Sequence, residues 1–464
     1  MQKISVIAIF DVGKTNKKLF LFDQHYQIVY EKTARFIETS DEDGFACDNI
    51  DSLRLSVFES LNEVLRLDCF DIKAINFTTY GASLVYVDSD GKPLAPLFNY
   101  LKPYPEDLNK KFYKAYGGEE VVCLQTASPC SGSLNSGLQL YRIKNEKPEL
   151  FARMKYALHL PQFMSSLITG KFYSDITSIG CHTHLWDFQK NDYHRWIYEE
   201  KLDQKLAPIF PSNQVIQTQF MGKEYLAGVG LHDSSAALIP YLVNFTEPFI
   251  LISTGTWCIS LNPFNDSPLT KEEINCNCLC YLSYQGKPVK ASRLFAGYEH
   301  EQQTKRIAAH FQMPASLFRT MNFSPEIIEM LKKKNVLDAE PIPPCAADFT
   351  SKFTERNLED YGNIKEAYHQ LIMDILEQQF LSTNMIMQKG ITKKIFVDGG
   401  FSKNNIYMNL LAAAFPNVEV YAASMAQATA LGTAIAIHSH WNKHPLPNDI
   451  IDLKFFANSQ NADL

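Results

Sequence analysis

The chain has no apolar run approaching the roughly 20 residues that span a bilayer. After Lys3 it passes directly into a strand-like run, with no apolar leader followed by a small-residue cleavage site. Both absences lead us to expect a cytoplasmic protein that does not use a membrane. Positive charge is in deficit: 44 Lys and Arg stand against 51 Asp and Glu, a net charge of -7. That balance argues against nucleic-acid binding by bulk phosphate attraction and still allows an anionic small substrate. Low-complexity stretches, heptads and short-period repeats are missing. A Walker A loop is missing too. Gly13-Lys14-Thr15 has its ending, but Ala8 stands where the motif needs its first glycine. Residues 19–22, which should open a helix, form a second apolar run without helical period.

Export-type cysteine usage is also absent. The ten cysteines are scattered through a long chain without an export signal, so reduced thiols are expected. The one cluster is Cys276, Cys278 and Cys280. A spacing of two places all three on one face of a strand. Structural zinc sites usually space their ligands two to four residues apart, so we read a packed strand face, with a metal site as the alternative.

What is present begins at the N-terminus. Two apolar strands flank the turn Asp11-Val12-Gly13-Lys14-Thr15-Asn16-Lys17-Lys18. Glycine lets backbone approach closely, and turn N–H groups with a lysine suit an anion. An acid at this place can hold magnesium, usually through water. The competing reading is an ordinary hairpin with a charged tip. At 464 residues the chain is too long for one ordinary core, so two domains are expected.

Strands are read at 4–10, 18–23 and 25–30, a helix at 51–67, and strands at 72–78 and 83–87. Residues 103–170 are mostly of helical pattern. At 249–261 the strand–turn–strand layout returns around Thr254-Gly255-Thr256. A long helix follows at 360–388, then a strand at 394–397, Asp398-Gly399-Gly400, a helix at 404–414, a strand at 418–421 and a helix at 426–438. This is a mixed α/β chain of two halves with similar openings. We divide it into domains 1–245 and 246–464.

Four glycine-bearing turns stand out: Asp11-Val12-Gly13, Gly230-Leu231-His232-Asp233, Thr254-Gly255-Thr256 and Asp398-Gly399-Gly400. Each alone is a plain turn. Together, two phosphate hairpins could grip a triphosphate, and a glycine pair near a helix start lets backbone lie against a flat ring. Asp233 in Asp-Ser-Ser-Ala-Ala-Leu is a good helix N-cap. It also suits a general base that takes a hydroxyl proton during phosphoryl transfer. His182 and His184, read on a strand, face one side, but no third ligand stands out nearby, and structural histidines are the preferred reading. His232-Asp233 also matches the dipeptide of metal-dependent phosphohydrolases.

These residues, in this order, resemble the FGGY carbohydrate kinases of the actin-like, hexokinase-like ATPase superfamily. Phe10 to Asn16 looks like the first phosphate motif. Thr78-Thr79-Tyr80-Gly81 and the segment 87–94 look like the sugar-side strand and hairpin, and 167–187 like the mid-domain segment. Gly230-Leu231-His232-Asp233 looks like the motif of the catalytic aspartate, and Ser253-Thr254-Gly255-Thr256-Trp257 like the second phosphate loop. Asp398-Gly399-Gly400-Phe401-Ser402-Lys403-Asn404, with 426–434, resembles the adenosine-binding end.

The resemblance implies two RNase H-like domains around a central cleft that holds ATP and sugar. It implies in-line transfer of the γ-phosphoryl group to a sugar hydroxyl, with Asp233 as base and Asp11 as the holder of Mg2+. Gly13, Lys14, Thr15, Asn16, Lys18, Gly255 and Thr256 would serve the phosphates, and Gly399, Gly400 and Asn404 the nucleoside. Thr79, Tyr80, Gly81, Tyr100, His232 and Asp233 would serve the sugar.

Two departures matter. The family often carries Trp-x-Asp-x-Arg after the sugar-side hairpin; here Tyr100 replaces the Trp, and the acid and Arg are missing. Lys14 stands where a small hydroxyl residue is commoner. The chain looks nearer the L-fuculose and L-rhamnulose kinases than the xylulose or glycerol kinases. A homodimer is expected from the family. The alternatives are a pentulose kinase, a non-catalytic actin-like nucleotide-binding protein, and a metal phosphohydrolase using His182, His184, His232 and Asp233.

Overall fold

The computed structural model describes residues 3–14, 16–34, 38–335, 352–425 and 427–457. The chain divides into two compact units. The first comprises Met1–Asn244, Cys280–Pro288 and Ala426–Ile450; the second comprises Phe245–Leu279, Val289–Met425 and Ile451–Leu464. Each is built on a sheet with helices against it, as expected for the α/β class.

In the first unit the strands are β1 (Ile4–Val12), β2 (Lys17–Asp23), β3 (Ile28–Ala34), β4 (Phe70–Thr79), β5 (Val215–Phe220), β6 (Lys223–Gly228) and β7 (Leu231–His232). Their order is β5-β6-β4-β1-β2-β3, with β7 also on β4. β1 pairs antiparallel with β2 and parallel with β4. Residues 6–10 of β1 are buried without alternation, as a strand covered on both faces requires. One cover is α1 (Ile50–Leu65), whose Leu53, Val57, Leu61 and Val64 recur at helical spacing and join the core of Val6, Ala8, Phe10 and Phe77. Asn49 starts this helix by accepting from the amide of Ser52, 2.9 Å. α2 (Leu160–Thr169) brings Leu160, Phe163 and Met164 to the same core and stops at Gly170, φ 61°.

Among the boundaries that differ from the sequence reading, two bear on the site. The strand read at 25–30 starts at Ile28, because Asp23 closes a turn by accepting from the amides of His25 and Gln27. The strand read at 4–10 runs on to Val12, so Asp11 sits at the rim of a strand rather than in a loop.

Asn76 of β4 ties the unit together. It is fully buried, and its Oδ1 accepts from the Gly230 amide at 3.2 Å and the Phe77 amide at 2.9 Å. Its Nδ2 donates to the Thr433 carbonyl at 3.0 Å, inside the helix Ala428–Ala436. That helix lies on α3 (Asp233–Asn244) at Gly432, where a Cβ would come within 1.9 Å of the Ala236 carbonyl oxygen.

The second unit orders β10 (Pro288–Leu294), β9 (Cys258–Asn262), β8 (Phe249–Thr254), β11 (Lys394–Gly399), β12 (Glu419–Ser424) and β13 (Asp452–Phe456) side by side. α4 (Ala296–His310), α5 (Ile364–Ile386) and α6 (Asn405–Ala414) cover it. Ile252 and Val397 of the sheet share a core with Leu371, Ile375 and Leu411.

The cysteine-cluster reading needs correction. Cys278 and Cys280 are buried in a strand, Cys278–Leu282, but Cys276 ends the helix Lys271–Asn275, off the strand, and is disulfide-bonded. The other eight described cysteines form no disulfide. Among the described residues no helix is long and apolar enough to cross a membrane.

Replacing Asn76 by Leu keeps the branched outline of the side chain and strips the partners from the Gly230 amide and the Thr433 carbonyl. Each orphaned buried group costs about 1–3 kcal/mol, so urea unfolding is expected to lose about 2–6 kcal/mol. An unchanged midpoint would remove Asn76 from this role.

Candidate active site

In the first unit, the β1–β2 turn is closed by the Gly13 amide donating to the Asn16 carbonyl at 2.9 Å. A Cβ on Gly13 would lie 3.1 Å from that oxygen. Thr15 lies outside the described residues. Two lysines of the turn converge on an acid the sequence reading passed over: Lys14 Nζ lies 2.9 Å from Asp48 Oδ2 and Lys17 Nζ 3.1 Å from Asp48 Oδ1. Tyr80 donates to the same carboxylate at 2.5 Å. Burial works to raise the Asp48 pKa, but the bonds from Tyr80 and Lys14 and the charge of Lys17 outweigh it and hold the carboxyl below its usual range. Lys18 pairs with Glu31 of β3 at 2.9 Å. The ammonium groups of Lys14 and Lys18 are thus both engaged by carboxylates, and Asn16 contributes its backbone.

Asp233 opens α3. Its side chain keeps 36% exposure, and Oδ1 accepts from the amide of Ser234 at 2.6 Å. A capping side chain bonds the second or third amide of the helix; this one takes only its neighbour's. Its placement is set from behind. The Thr177 hydroxyl accepts from the His232 amide at 3.0 Å and itself donates to Asp175, whose other oxygen is held by Ser212. Gln162 and Ser165 of α2 donate to the carbonyls of Gly230 and Gly228 at 2.8 and 2.7 Å. Gly230 has φ 88°, and a Cβ there would meet the Pro161 carbonyl oxygen at 2.4 Å.

The structure brings most of the expected sugar-side residues to this place. β7 pairs with β4, setting Thr79 opposite His232. A Cβ on Gly81 would sit 2.8 Å from the His232 imidazole, so glycine leaves room for the ring. Tyr80 packs against Tyr100 with the rings tilted by 56° and their centroids 6.0 Å apart. Burial raises the Tyr100 pKa, with the charges of Asp233 and Asp48 adding to it. Thr79 is buried, with its hydroxyl on the Tyr80 carbonyl.

Burial, then the charge of Asp233, push Asp11 up to about 7, with Lys18 opposing. Burial pushes Asp233 up to about 6, with hydrogen bonds from Ser234 opposing. Two carboxylates therefore repel across a site whose nearest lysine is shared with Glu31. Such an oxygen pair fits a hard divalent cation, and Mg2+ prefers one or two carboxylates with water and phosphate oxygens.

The histidine reading is corrected. His182 and His184 lie on no strand; both have positive φ, 39° and 61°. His184 is buried between the hydroxyls of Tyr113 and Thr126, at 3.0 and 2.7 Å. His182 points elsewhere, with its ring 6.2 Å from that of His232.

In the second unit, β8 and β11 run parallel with Thr254 opposite Gly399, so their two glycine turns meet. Gly399 has φ 88°, and a Cβ would lie 2.0 Å from the Thr254 carbonyl oxygen, which accepts from the Gly400 amide at 2.9 Å. The Gly255 amide donates to the Trp257 carbonyl at 2.9 Å, and the Tyr298 amide of α4 to the Thr256 carbonyl at 3.1 Å. Gly297 had no signal in the sequence, yet its Cβ would fall 1.8 Å from the Gly255 oxygen. Asn404 caps α6 through the amides of Ile406 and Tyr407 and donates to the Tyr368 hydroxyl at 2.8 Å. Sequence reasoning also missed Asp48, Asn76 and Cys181. The Asp175-Ile176-Thr177 cap spacing was the one local signal available.

Both acids are protonated at higher pH when folded than when unfolded. The folded state therefore loses stability as pH rises through about 6 to 7. Without divalent cation, Asp233→Asn is expected to raise Tm by several degrees at pH 8, with the gain vanishing by pH 4. A gain independent of pH would contradict this origin.

Two family models match in tandem. "FGGY family of carbohydrate kinases, N-terminal domain" covers residues 6–234, and "Carbohydrate kinase FGGY, C-terminal domain" covers 246–445. Among curated proteins, a rhamnulokinase of Halalkalibacterium halodurans is 23% identical over 269 residues, 53% of this chain and 52% of its own. An L-fuculokinase of Salmonella typhi is 26% identical over 271 residues, 55% and 56%. The chain thus spans about half the length of the curated relatives it matches. A carbohydrate kinase from Novosphingobium aromaticivorans superposes with TM-score 0.80 at 20% identity, covering 98% of this chain and 95% of that one. A ligand-bound xylulose kinase from Lactobacillus acidophilus gives 0.79 at 16% identity, covering 98% and 94%. Those likenesses establish that the chain shares the fold of these two kinases. With both of its domain models present in order, the chain belongs to the FGGY family of carbohydrate kinases.

Proposed function

We propose that the protein is an ATP-dependent kinase that phosphorylates a hydroxyl of a ketose, L-fuculose or L-rhamnulose. The observation that carries this reading is the Asp233 carboxylate: part-exposed, raised in pKa to about 6, placed from behind by Thr177 and Asn76, and electrostatically coupled to Asp11. A base with that pKa is ionised at neutral pH and still takes a proton readily. The names of the two curated relatives favour a 6-deoxyketose over a pentulose.

In this reading domain 1–245 serves the sugar and domain 246–464 the nucleotide. The sugar hydroxyl donates its proton to Asp233 as its oxygen bonds to the γ-phosphorus and the bond to the β-phosphate bridge breaks. Asp233 then returns the proton to solvent. Thr79, Tyr80, Gly81, Tyr100 and His232 orient the sugar. The turns at Gly13, Lys14, Thr15, Asn16 and Lys18 and at Gly255 and Thr256 orient phosphates by backbone amides and positive charge. Gly399, Gly400 and Asn404 flank the nucleoside. Asp11 holds Mg2+, which supplies charge neutralisation on the phosphate oxygens when bound. A cytoplasmic homodimer is part of the same reading.

The test is ADP release with MgATP over L-fuculose, L-rhamnulose, both xyluloses, both ribuloses and glycerol. One 6-deoxyketose should raise turnover by orders of magnitude. Asp233→Asn should lower that rate by about 10²–10⁴-fold, the span of a lost general base. For the intact enzyme, kcat/KM should fall as pH drops through about 6, where Asp233 protonates. A pentulose as the preferred acceptor would replace the substrate. ATP binding with no response to any sugar would favour a non-catalytic actin-like role.

A further inference from the structure

Cys181, His182 and His232 each offer a ligand atom, and the three atoms lie within 4.8 Å of one another, inside the first unit. Cys181 Sγ is 3.1 Å from His232 Nε2, and Asp233 Oδ1 lies 3.2 Å from that same nitrogen. Cys181 and His232 are buried and His182 is half-buried. A tetrahedral zinc ion with bonds of about 2.0–2.3 Å sets neighbouring donors about 3.3–3.7 Å apart, so the two pairs that share His232 Nε2 stand near that spacing and His182, within 4.8 Å, closes in on binding.

The surroundings orient the rings as ligands need. His182 Nδ1–H donates to the Leu134 carbonyl at 3.2 Å, which leaves Nε2 with its lone pair. A second hydrogen bond of this kind fixes tautomer and ring in bound sites. His232 Nδ1 faces the Ser235 hydroxyl at 3.5 Å. Positive φ at His182 folds the chain back so that two consecutive residues, Cys181 and His182, both reach His232. A thiolate with two imidazoles suits Zn2+ and excludes Mg2+, which takes oxygen ligands in octahedral geometry.

We infer that Cys181, His182 and His232 form a site for a soft divalent ion of the zinc class, with Asp233 as its oxygen ligand, and that filling it switches off the base. Binding releases the Cys181 thiol proton to solvent and forms metal–sulfur, metal–nitrogen and metal–oxygen bonds. Bound to the metal, the Asp233 carboxylate has its charge neutralised, its basicity falls, and it no longer takes the sugar proton effectively. The inhibitory half rests on the kinase reading; the metal site does not.

The experiment uses Co2+ as the probe on the full chain, with neither ATP nor sugar. A thiolate-to-cobalt charge-transfer band and tetrahedral ligand-field bands are expected at one ion per chain, displaced by Zn2+. Cys181→Ser should lose the charge-transfer band, and His182→Ala should weaken binding at least tenfold. If Cys181→Ser does not fold by circular dichroism, His182→Ala carries the test. Absence of the band, its survival in Cys181→Ser, or undiminished affinity in His182→Ala overturns the site.

In the MgATP and sugar assay, Zn2+ should lower turnover at least tenfold, with recovery on adding a zinc-selective chelator. Each variant, normalised to its own zinc-free rate, should need at least tenfold more Zn2+. Equal inhibition of all three proteins overturns the switch, since zinc would then act elsewhere. A cobalt band in a protein that no sugar activates leaves the site standing and removes the kinase reading.

Discussion

The buried amide of Asn76 is the constraint on which the turn before Asp233 depends. One side chain serves the turn before Asp233 and a helix more than 350 residues further along the chain. An amide has both a donor and an acceptor end, so it can satisfy two backbone groups of opposite kind at once. Asn76 is fully buried, so solvent offers these groups no ready substitute, and that locks the geometry. Gly228 and Gly432 make it possible. A Cβ on Gly228 would lie 2.2 Å from Asn76 Cγ, and one on Gly432 would push the later helix off α3.

From that anchoring follows the electrostatics. Asp233 is held near Asp11 because β7, β4 and β1 lie in register, with Leu231 opposite Thr78 and Asp11 opposite Thr78 as well. The charge of Asp233, set one strand away across β4, raises the pKa of Asp11 where burial has already done so. The result is a site primed for cations. Lys14 and Lys17 of the β1–β2 turn are positioned from the other side by Asp48, whose own charge is secured by three donors. Removing one partner from such a buried group is costlier than the group's net contribution to stability. The turn and Tyr80 are therefore tied through a single carboxylate. The second unit solves the equivalent problem without charge: parallel register between β8 and β11 brings two glycine turns into contact, and only glycine fits.

Much of this was legible because it is local. Apolar runs with a turn between them mark β1–β2 and β8–β9. Helical spacing marks α1 and α5, and the cap at Asn404 follows from residue type. The errors have local causes as well. The chain at 25–30 is apolar enough for a strand, but the Asx turn at Asp23 delays it. His182 and His184 alternate like strand residues, yet positive φ at both turns their rings to different neighbours.

By itself the sequence determined the class, the two β-rich halves, the glycine turns and Asp233 as the residue to watch, since propensity, periodicity and turn chemistry act over a few residues. Only the tertiary structure decided that Asp48 claims Lys14 and Lys17, that Asn76 reaches Thr433, that Gly297 lies on Gly255, and that Cys181 and His182 join His232 and separate from His184. Those pairings form between segments far apart in sequence. Their free energy comes from desolvation and close approach, which appear only when the folded chain excludes water and sets the distances.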